Sequence, residues 1–119
     1  MSDHYQLGKK GEQVACDFLI AKGYKILSRN YRFKKAEIDI IAQLNELLVV
    51  VEVKTRTSTF FGNPQDFISQ KKIKRLVQAI NRYVYDNATD LEIRFDIVAV
   101  VFENNKFSIE HLEDAFLHF

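Results

Sequence analysis

The chain of 119 residues is long enough for one hydrophobic core, and we expect residues 1–119 to form a single domain. It contains neither an apolar stretch of the ~18 residues that a membrane span needs nor the apolar segment of a signal peptide, so we expect a soluble, cytoplasmic protein without a membrane partner. The net charge of +1, from 17 Lys and Arg against 16 Asp and Glu, excludes a general attraction to nucleic acid, so any such attraction must be local.

The first half of the chain predicts one helix followed by three strands. Apolar residues at helical spacing predict a helix over about residues 5–22. Residues 24–33 then alternate as a strand. Residues 36–54 contain two apolar runs separated by the polar pair Asn45 and Glu46, which predicts a β-hairpin.

The second half predicts one more helix and two more strands. After an irregular loop over about residues 55–67, Ser69 is expected to cap a helix that runs to about Asp86. Apolar runs at 92–102 and 106–112 predict the last two strands. This order is typical of an α/β fold with a mixed central β-sheet flanked by helices.

The register of the predicted hairpin decides which of its side chains lie opposite one another. In an antiparallel hairpin the numbers of opposed residues have a constant sum, and a two-residue turn at the polar break sets it to 91. Asp39 then faces Glu52, and Glu37 faces Lys54. A four-residue turn gives the same pairs. The opposite face is entirely apolar and is expected to form the core: Ile38, Ile40, Ala42, Val49, Val51 and Val53.

Two carboxylates directly across a hairpin repel each other, because their Cβ atoms are only ~4.5–5.5 Å apart. Asp39 and Glu52 therefore need a positive charge between them. Lys54 can supply it through a salt bridge on an exposed strand face. A divalent cation can supply it as well, since carboxylate oxygens suit Mg²⁺. The spacing alone leaves both alternatives open.

The motifs in this region resemble those of a known enzyme superfamily. Asp39, followed on the next strand by Glu52-Val53-Lys54, is similar to the D...(D/E)xK signature of the PD-(D/E)XK nucleases, which have the restriction endonuclease-like fold. A closer resemblance is to the YraN-like family of small bacterial proteins, whose relatives include Holliday junction resolvases. It rests on the segments GKKGEQVACDFLIAKGYKILSRNYRFKKAEIDIIA, VVVEVKTR, FGNPQDFISQKK and RFDIVAV, and it covers about residues 8–100.

This resemblance implies a metal-dependent endonuclease that hydrolyses DNA phosphodiester bonds with Mg²⁺ or Mn²⁺, on branched or junction DNA during repair and recombination. It also implies a homodimer, because resolvase-like relatives act on two strands in pairs. The implied catalytic residues are Glu12, Asp39, Glu52 and Lys54, and the implied metal ligands are Asp39, Glu52 and the carbonyl of Val53. Helical spacing puts Glu12 on or beside the packed side of the first helix, where it needs either the metal site or a nearby Lys or Arg.

Basic residues on the second helix predict a surface for DNA. Lys71, Arg75 and Arg82 follow helical spacing opposite the apolar side, with Lys74 beside them and Lys72 as a further flanking basic residue. Arg56 lies close in sequence to the proposed site. The alternative for these residues is an ordinary solvated helix face. For the whole protein, the alternative is a non-catalytic scaffold that keeps a nuclease-like fold and binds nucleic acid or another protein.

Overall fold

A computed structural model describes residues 3–57 and 68–116, and the side chains of residues 5–57 and 68–116. The elements are α1 (Asp3–Ala21), β1 (Lys25–Phe33), β2 (Ala36–Leu44), β3 (Leu47–Arg56), α2 (Gln70–Asn87), β4 (Glu92–Glu103) and β5 (Lys106–Leu112). This is the predicted order of helices and strands. The predicted loop of residues 55–67 begins inside β3, and residues 58–67 lie outside the described part of the chain.

The five strands form one mixed sheet in the order β1-β2-β3-β4-β5. β3 and β4 pair in parallel, and every other neighbouring pair is antiparallel. A parallel pair needs a crossover connection, and α2 provides it between β3 and β4. The predicted α/β architecture with a mixed sheet and flanking helices is therefore confirmed. Neither described helix is long and apolar enough to cross a membrane.

The predicted register of the β2–β3 hairpin is confirmed over five pairs, from Ile40 opposite Val51 to Leu44 opposite Leu47. The turn between the strands is the expected polar pair, and its Asn45 has a φ of 52°. Asparagine tolerates this left-handed conformation better than most residues, which is why Asn is favoured in tight hairpin turns. The short turn fixes the register, and the register brings Asp39 and Glu52 to the same end of the hairpin.

The hairpin is covered on both faces, whereas the sequence predicted one apolar face as the core. Ile40 and Ala42 pack with α1, and Ile41 packs with α2. Ile38, predicted on the same face as Ile40, packs instead with Ile41 on the α2 side, so that assignment was wrong. The regular alternation of β2 is interrupted at Asp39, the residue between Ile38 and Ile40.

The start of α2 is fixed by a side-chain cap. Ser69 has an extended backbone, and its hydroxyl accepts a hydrogen bond from the N–H of Lys72 at 3.1 Å. The buried face of the helix packs on β1 and β2 and is formed by Ile73, Leu76, Ala79 and Ile80. The cap and this apolar face together place the first turn of α2 beside the open end of the β2–β3 hairpin.

Candidate functional site

Asp39 lies where the pairing between β2 and β3 ends. Beyond the Ile40–Val51 pair, the carboxylate of Asp39 accepts a hydrogen bond from the N–H of Val53 at 2.8 Å. The neighbouring strand is irregular at the same level, because Asn30 of β1 has a φ of 55°. The interruption in the sheet holds the Asp39 carboxylate against β3, next to the strand segment that carries Glu52.

Glu52 is a buried carboxylate with an incomplete set of partners. Its side chain is 3% exposed, and its Oε2 contacts the ammonium of Lys72 and lies 3.5 Å from that of Lys54. Its other oxygen, Oε1, is buried and has no hydrogen-bond partner within the described parts of the chain. A buried oxygen without a partner costs free energy, so a water molecule or a bound ion is expected to satisfy this atom.

Asp39 is held in surroundings that disfavour its negative charge. Burial raises the pKa of Asp39 to about 7, and the charge of Glu52 adds to the rise. The hydrogen bond from Val53 and the charge of Lys72 act in the opposite direction and are outweighed. A further cation between the two carboxylates would stabilise the ionised form of both.

Glu12 faces the same site from α1. It lines a cleft of about 570 Å³ together with Asp39 and Lys54. Its Oε1 accepts hydrogen bonds from Asn30 at 3.0 Å and from Arg29 at 3.3 Å. The predicted pairing of Glu12 with a nearby arginine is therefore confirmed, and Glu12 also faces the cleft, whereas its role at a metal site stays a prediction.

The surroundings of Asp39 and Glu52 fit a hard divalent cation. The charges of the two carboxylates interact, Asp39 has a raised pKa and Glu52 has an unpartnered oxygen. Val53 lines the 570 Å³ cleft together with Asp39. Among the described residues there is no group of three or more Asp, Glu, His or Cys side chains that could hold a metal. Backbone and water oxygens would therefore have to complete the coordination, as is usual for Mg²⁺.

The extended hairpin register predicted that Glu37 faces Lys54, and this prediction was wrong. The carboxylate of Glu37 accepts a hydrogen bond from Arg32 of β1 at 2.6 Å, across the β1–β2 pair. Glu37 and Asp39 both line a second cleft of about 360 Å³, which opens toward α2. The candidate site is thus reached from two sides of the same hairpin end.

The predicted DNA-binding residues divide into two groups. Lys71 and Arg75 line the second cleft, and Arg56 lines the first. Lys74 and Arg82 line neither of these two clefts, and the guanidinium of Arg82 donates to Asp86 at 3.0 Å. Three of the five predicted residues therefore border the candidate site, and the other two lie elsewhere on α2.

Lys72, which the spacing of basic residues marked only as a flanking residue, was not part of the predicted site. A signal for its role was present in the sequence. Lys71 and Lys72 occupy the first turn of α2, which has no acidic residue. The positive end of the helix dipole disfavours cations there, so a lysine at this position is stabilised when an acidic side chain lies nearby, as Glu52 does for Lys72.

Comparisons with known proteins place the chain among bacterial relatives along its whole length. A family model described as Uncharacterised protein family UPF0102 matches residues 11–100. A UPF0102 protein of Flavobacterium psychrophilum is 59% identical over 119 residues, covering 100% of both chains. UPF0102 proteins of Christiangramia forsetii and Flavobacterium johnsoniae are 50% and 51% identical, again covering 100% of both chains.

Proposed function

We propose that this chain, which belongs to the Uncharacterised protein family UPF0102, is a metal-dependent endonuclease that hydrolyses DNA phosphodiester bonds. The observation that carries the proposal is Glu52, a buried carboxylate with an unpartnered oxygen beside Asp39 at the end of the hairpin. The mixed sheet with one helix on each face is consistent with a PD-(D/E)XK, restriction endonuclease-like fold.

In the proposed reaction, Asp39, Glu52 and the carbonyl of Val53 hold Mg²⁺ or Mn²⁺. Such an ion, when bound, polarises the scissile phosphate and lowers the pKa of a coordinated water. Lys54, 3.5 Å from Glu52 and 18% exposed, is placed to orient the attacking water or to contact a phosphate oxygen. Glu12, held by Arg29 and Asn30, faces the same cleft and helps to position that water.

The proposed substrate is DNA, bound through its phosphates. Lys71 and Arg75 border one side of the site and Arg56 borders the other, which suits a backbone that passes across the hairpin end. By resemblance to the resolvases, the proposed substrate is branched or junction DNA. The proposed location of the protein is the cytoplasm. Cutting both strands of a junction takes two sites, and a homodimer would supply them.

The experiment compares the cleavage of labelled four-way junction, flap, single-stranded and duplex DNA with Mg²⁺ or Mn²⁺. The test variants are Asp39→Asn and Glu52→Gln, which remove charge with little change in shape. Glu37→Gln is the matched control, because Glu37 lines both clefts but is bonded to Arg32. Circular dichroism verifies that each variant is folded.

We expect the wild type and Glu37→Gln to cut at least one substrate, and both test variants to lose about 10²-fold or more in rate. Loss in all three variants would point to a general electrostatic effect instead of a metal site. If the wild type binds junction DNA without cutting any substrate, and Asp39→Asn binds equally well, the scaffold alternative replaces the enzyme.

A further inference from the structure

We propose that Lys72 is an internal counter-ion of Glu52, which a divalent metal must displace before the site is loaded. The inference rests on the proposed function, because it assumes that Asp39 and Glu52 bind a metal. It adds a positioning residue to that site and connects metal binding to α2. The resemblance to known nucleases assigned no role to Lys72.

The contact between Lys72 and Glu52 joins two elements of the fold. The Lys72 ammonium lies against Oε2 of Glu52, closer than the 3.5 Å that separates this oxygen from Lys54. Glu52 is buried, so its charge would be costly without an opposite charge nearby. Lys72 therefore stabilises the ionised Glu52 in the metal-free protein.

Lys72 is better placed than Lys54 to leave the carboxylate. The Lys72 side chain is 38% exposed, against 18% for Lys54, so its ammonium can move into water without crossing the core. The backbone of Lys72 does not have to follow, because its N–H is held by the hydroxyl of Ser69. Displacement of Lys72 therefore requires only side-chain rotation.

A metal ion and Lys72 compete for the same carboxylate. Two cations at one oxygen repel each other strongly in a poorly solvated site, so a metal bound to Glu52 drives the ammonium away. The ammonium then remains in the second cleft with Lys71 and Arg75, where it can contact a phosphate. Metal binding and phosphate binding are thereby coupled, and each strengthens the other.

The experiment measures Mn²⁺ affinity by electron paramagnetic resonance on metal-free protein without DNA. Lys72→Met removes the charge and keeps most of the side-chain length. Lys71→Met is the matched control, because Lys71 is the exposed neighbour in the same cleft, whereas the ion pairs of Glu52 within the described residues are with Lys54 and Lys72. Lys72→Arg keeps the charge, and Lys72→Gln serves as a second neutral variant if Lys72→Met does not fold.

We expect Lys72→Met or Lys72→Gln to bind Mn²⁺ about tenfold more tightly than the wild type, a typical size for coupling between two sites. Lys71→Met and Lys72→Arg should stay within about twofold of the wild type on the same scale. In thermal melts, Mn²⁺ should raise the Tm of Lys72→Met by more than it raises the Tm of the wild type.

The inference and the proposed function fail in different ways. If the neutral Lys72 variants bind Mn²⁺ as the wild type does, while Asp39→Asn abolishes binding, the counter-ion role is wrong and the metal site stands. If Lys71→Met tightens binding as much as Lys72→Met, the effect is general electrostatics and the specific role is wrong. If no protein binds Mn²⁺ and none cuts DNA, the metal site itself is wrong, and this inference fails with it.

Discussion

Gly11 of α1 lies directly against Thr55 of β3, so closely that a methyl group on Gly11 would stand 2.1 Å from Thr55 Oγ1 and 2.8 Å from its Cγ2. The absence of a side chain at Gly11 allows α1 to approach the strand that carries Glu52 and Lys54. The same approach brings Glu12, the next residue of the helix, to the cleft. The position of Glu12 in the site thus depends on Gly11.

Gly11→Ala should therefore lower the free energy of unfolding by about 1–3 kcal/mol, because the added methyl group has to push the helix or the strand away. Urea unfolding measures the change. Gly8→Ala is the control, since a methyl group there meets no atom within 4 Å and a helical Gly→Ala change usually stabilises by roughly 0.5–1 kcal/mol. Equal effects at both positions would show that the Thr55 contact does not limit the packing.

Asp39 should make the stability of the metal-free protein depend on pH. Its folded-state pKa of about 7 lies above the ordinary value of 3.8, so folding disfavours the ionised form. The protein therefore loses stability as the pH rises from about 4 to about 7, and Asp39→Asn should remove this loss. Thermal melts in a chelator should show a higher Tm for Asp39→Asn at pH 8 and little difference at pH 4.

Mn²⁺ provides the check on that result. An ion bound to ionised Asp39 should raise the Tm of the wild type at pH 8 and leave the Tm of Asp39→Asn nearly unchanged. If Asp39→Asn instead has a lower Tm than the wild type at pH 8 without metal, the charge of Asp39 stabilises the fold. The burial of Asp39 would then not be the dominant influence on its ionisation.

The approach of Asp39 and Glu52 at the end of the hairpin could be predicted from the sequence, because it depends on local features of the chain. The two apolar runs and the short polar turn at Asn45 fix the register, and the register brings Asp39 and Glu52 to one end. The alternation rule failed at Ile38, because it assumes a regular strand and β2 is irregular at Asp39. No apolar pattern marks that irregularity, which is stabilised by a hydrogen bond to Val53 on another strand.

The partner of Lys72 could not be identified from the sequence, for a different reason. The contact of Lys72 with Glu52 depends on how α2 docks on the sheet, and that docking is decided by buried residues along the helix, such as Ile80 and Leu76, which also lines the second cleft. The same holds for Arg29, which reaches Glu12 from a neighbouring strand. Helical spacing showed that Glu12 needed a partner, but it could not choose between the cleft and the arginine.

Asp96 of β4 should be essential for stability and not for metal binding. It is fully buried and accepts hydrogen bonds from Arg94 at 2.8 and 2.9 Å, from His111 at 2.8 Å and from the N–H of Asp114 at 3.1 Å. Burial alone would raise the pKa of Asp96, but these hydrogen bonds together hold it below the ordinary value. The ionised carboxylate joins β4 to β5 and to the turn that follows.

Asp96→Asn should therefore lower the free energy of unfolding by about 3 kcal/mol at pH 7, because Arg94 loses its buried partner. The contribution of Asp96 is present above pH 3.8 and is lost as the pH falls below it, so the variant and the wild type should converge in acid. Asp86→Asn is the control, since its bond to Arg82 is at the surface and is worth less than about 1 kcal/mol. A loss for Asp96→Asn no larger than the control's would contradict the prediction.

The division of the basic residues predicts which part of α2 contacts DNA. Lys71 and Arg75 line the cleft that contains Asp39, whereas Lys74 and Arg82 do not. Neutralising the first pair with glutamine should weaken binding and reduce the slope of log K against log salt by about 0.9 for each phosphate that the variant no longer neutralises. The same change at Lys74 and Arg82 should alter the slope much less.

Fluorescence anisotropy with labelled junction DNA, measured over a range of salt concentrations and in a chelator, separates binding from cleavage. Both double variants remove two positive charges, so a change in net charge alone affects them equally. The measured difference between their slopes therefore reports where the phosphates lie. A larger loss for Lys74 and Arg82 would place the DNA along the exposed side of α2, away from Asp39 and Glu52. That path cannot deliver a phosphate to the proposed site, so the same result would also remove the support that Lys71 and Arg75 give to the nuclease proposal.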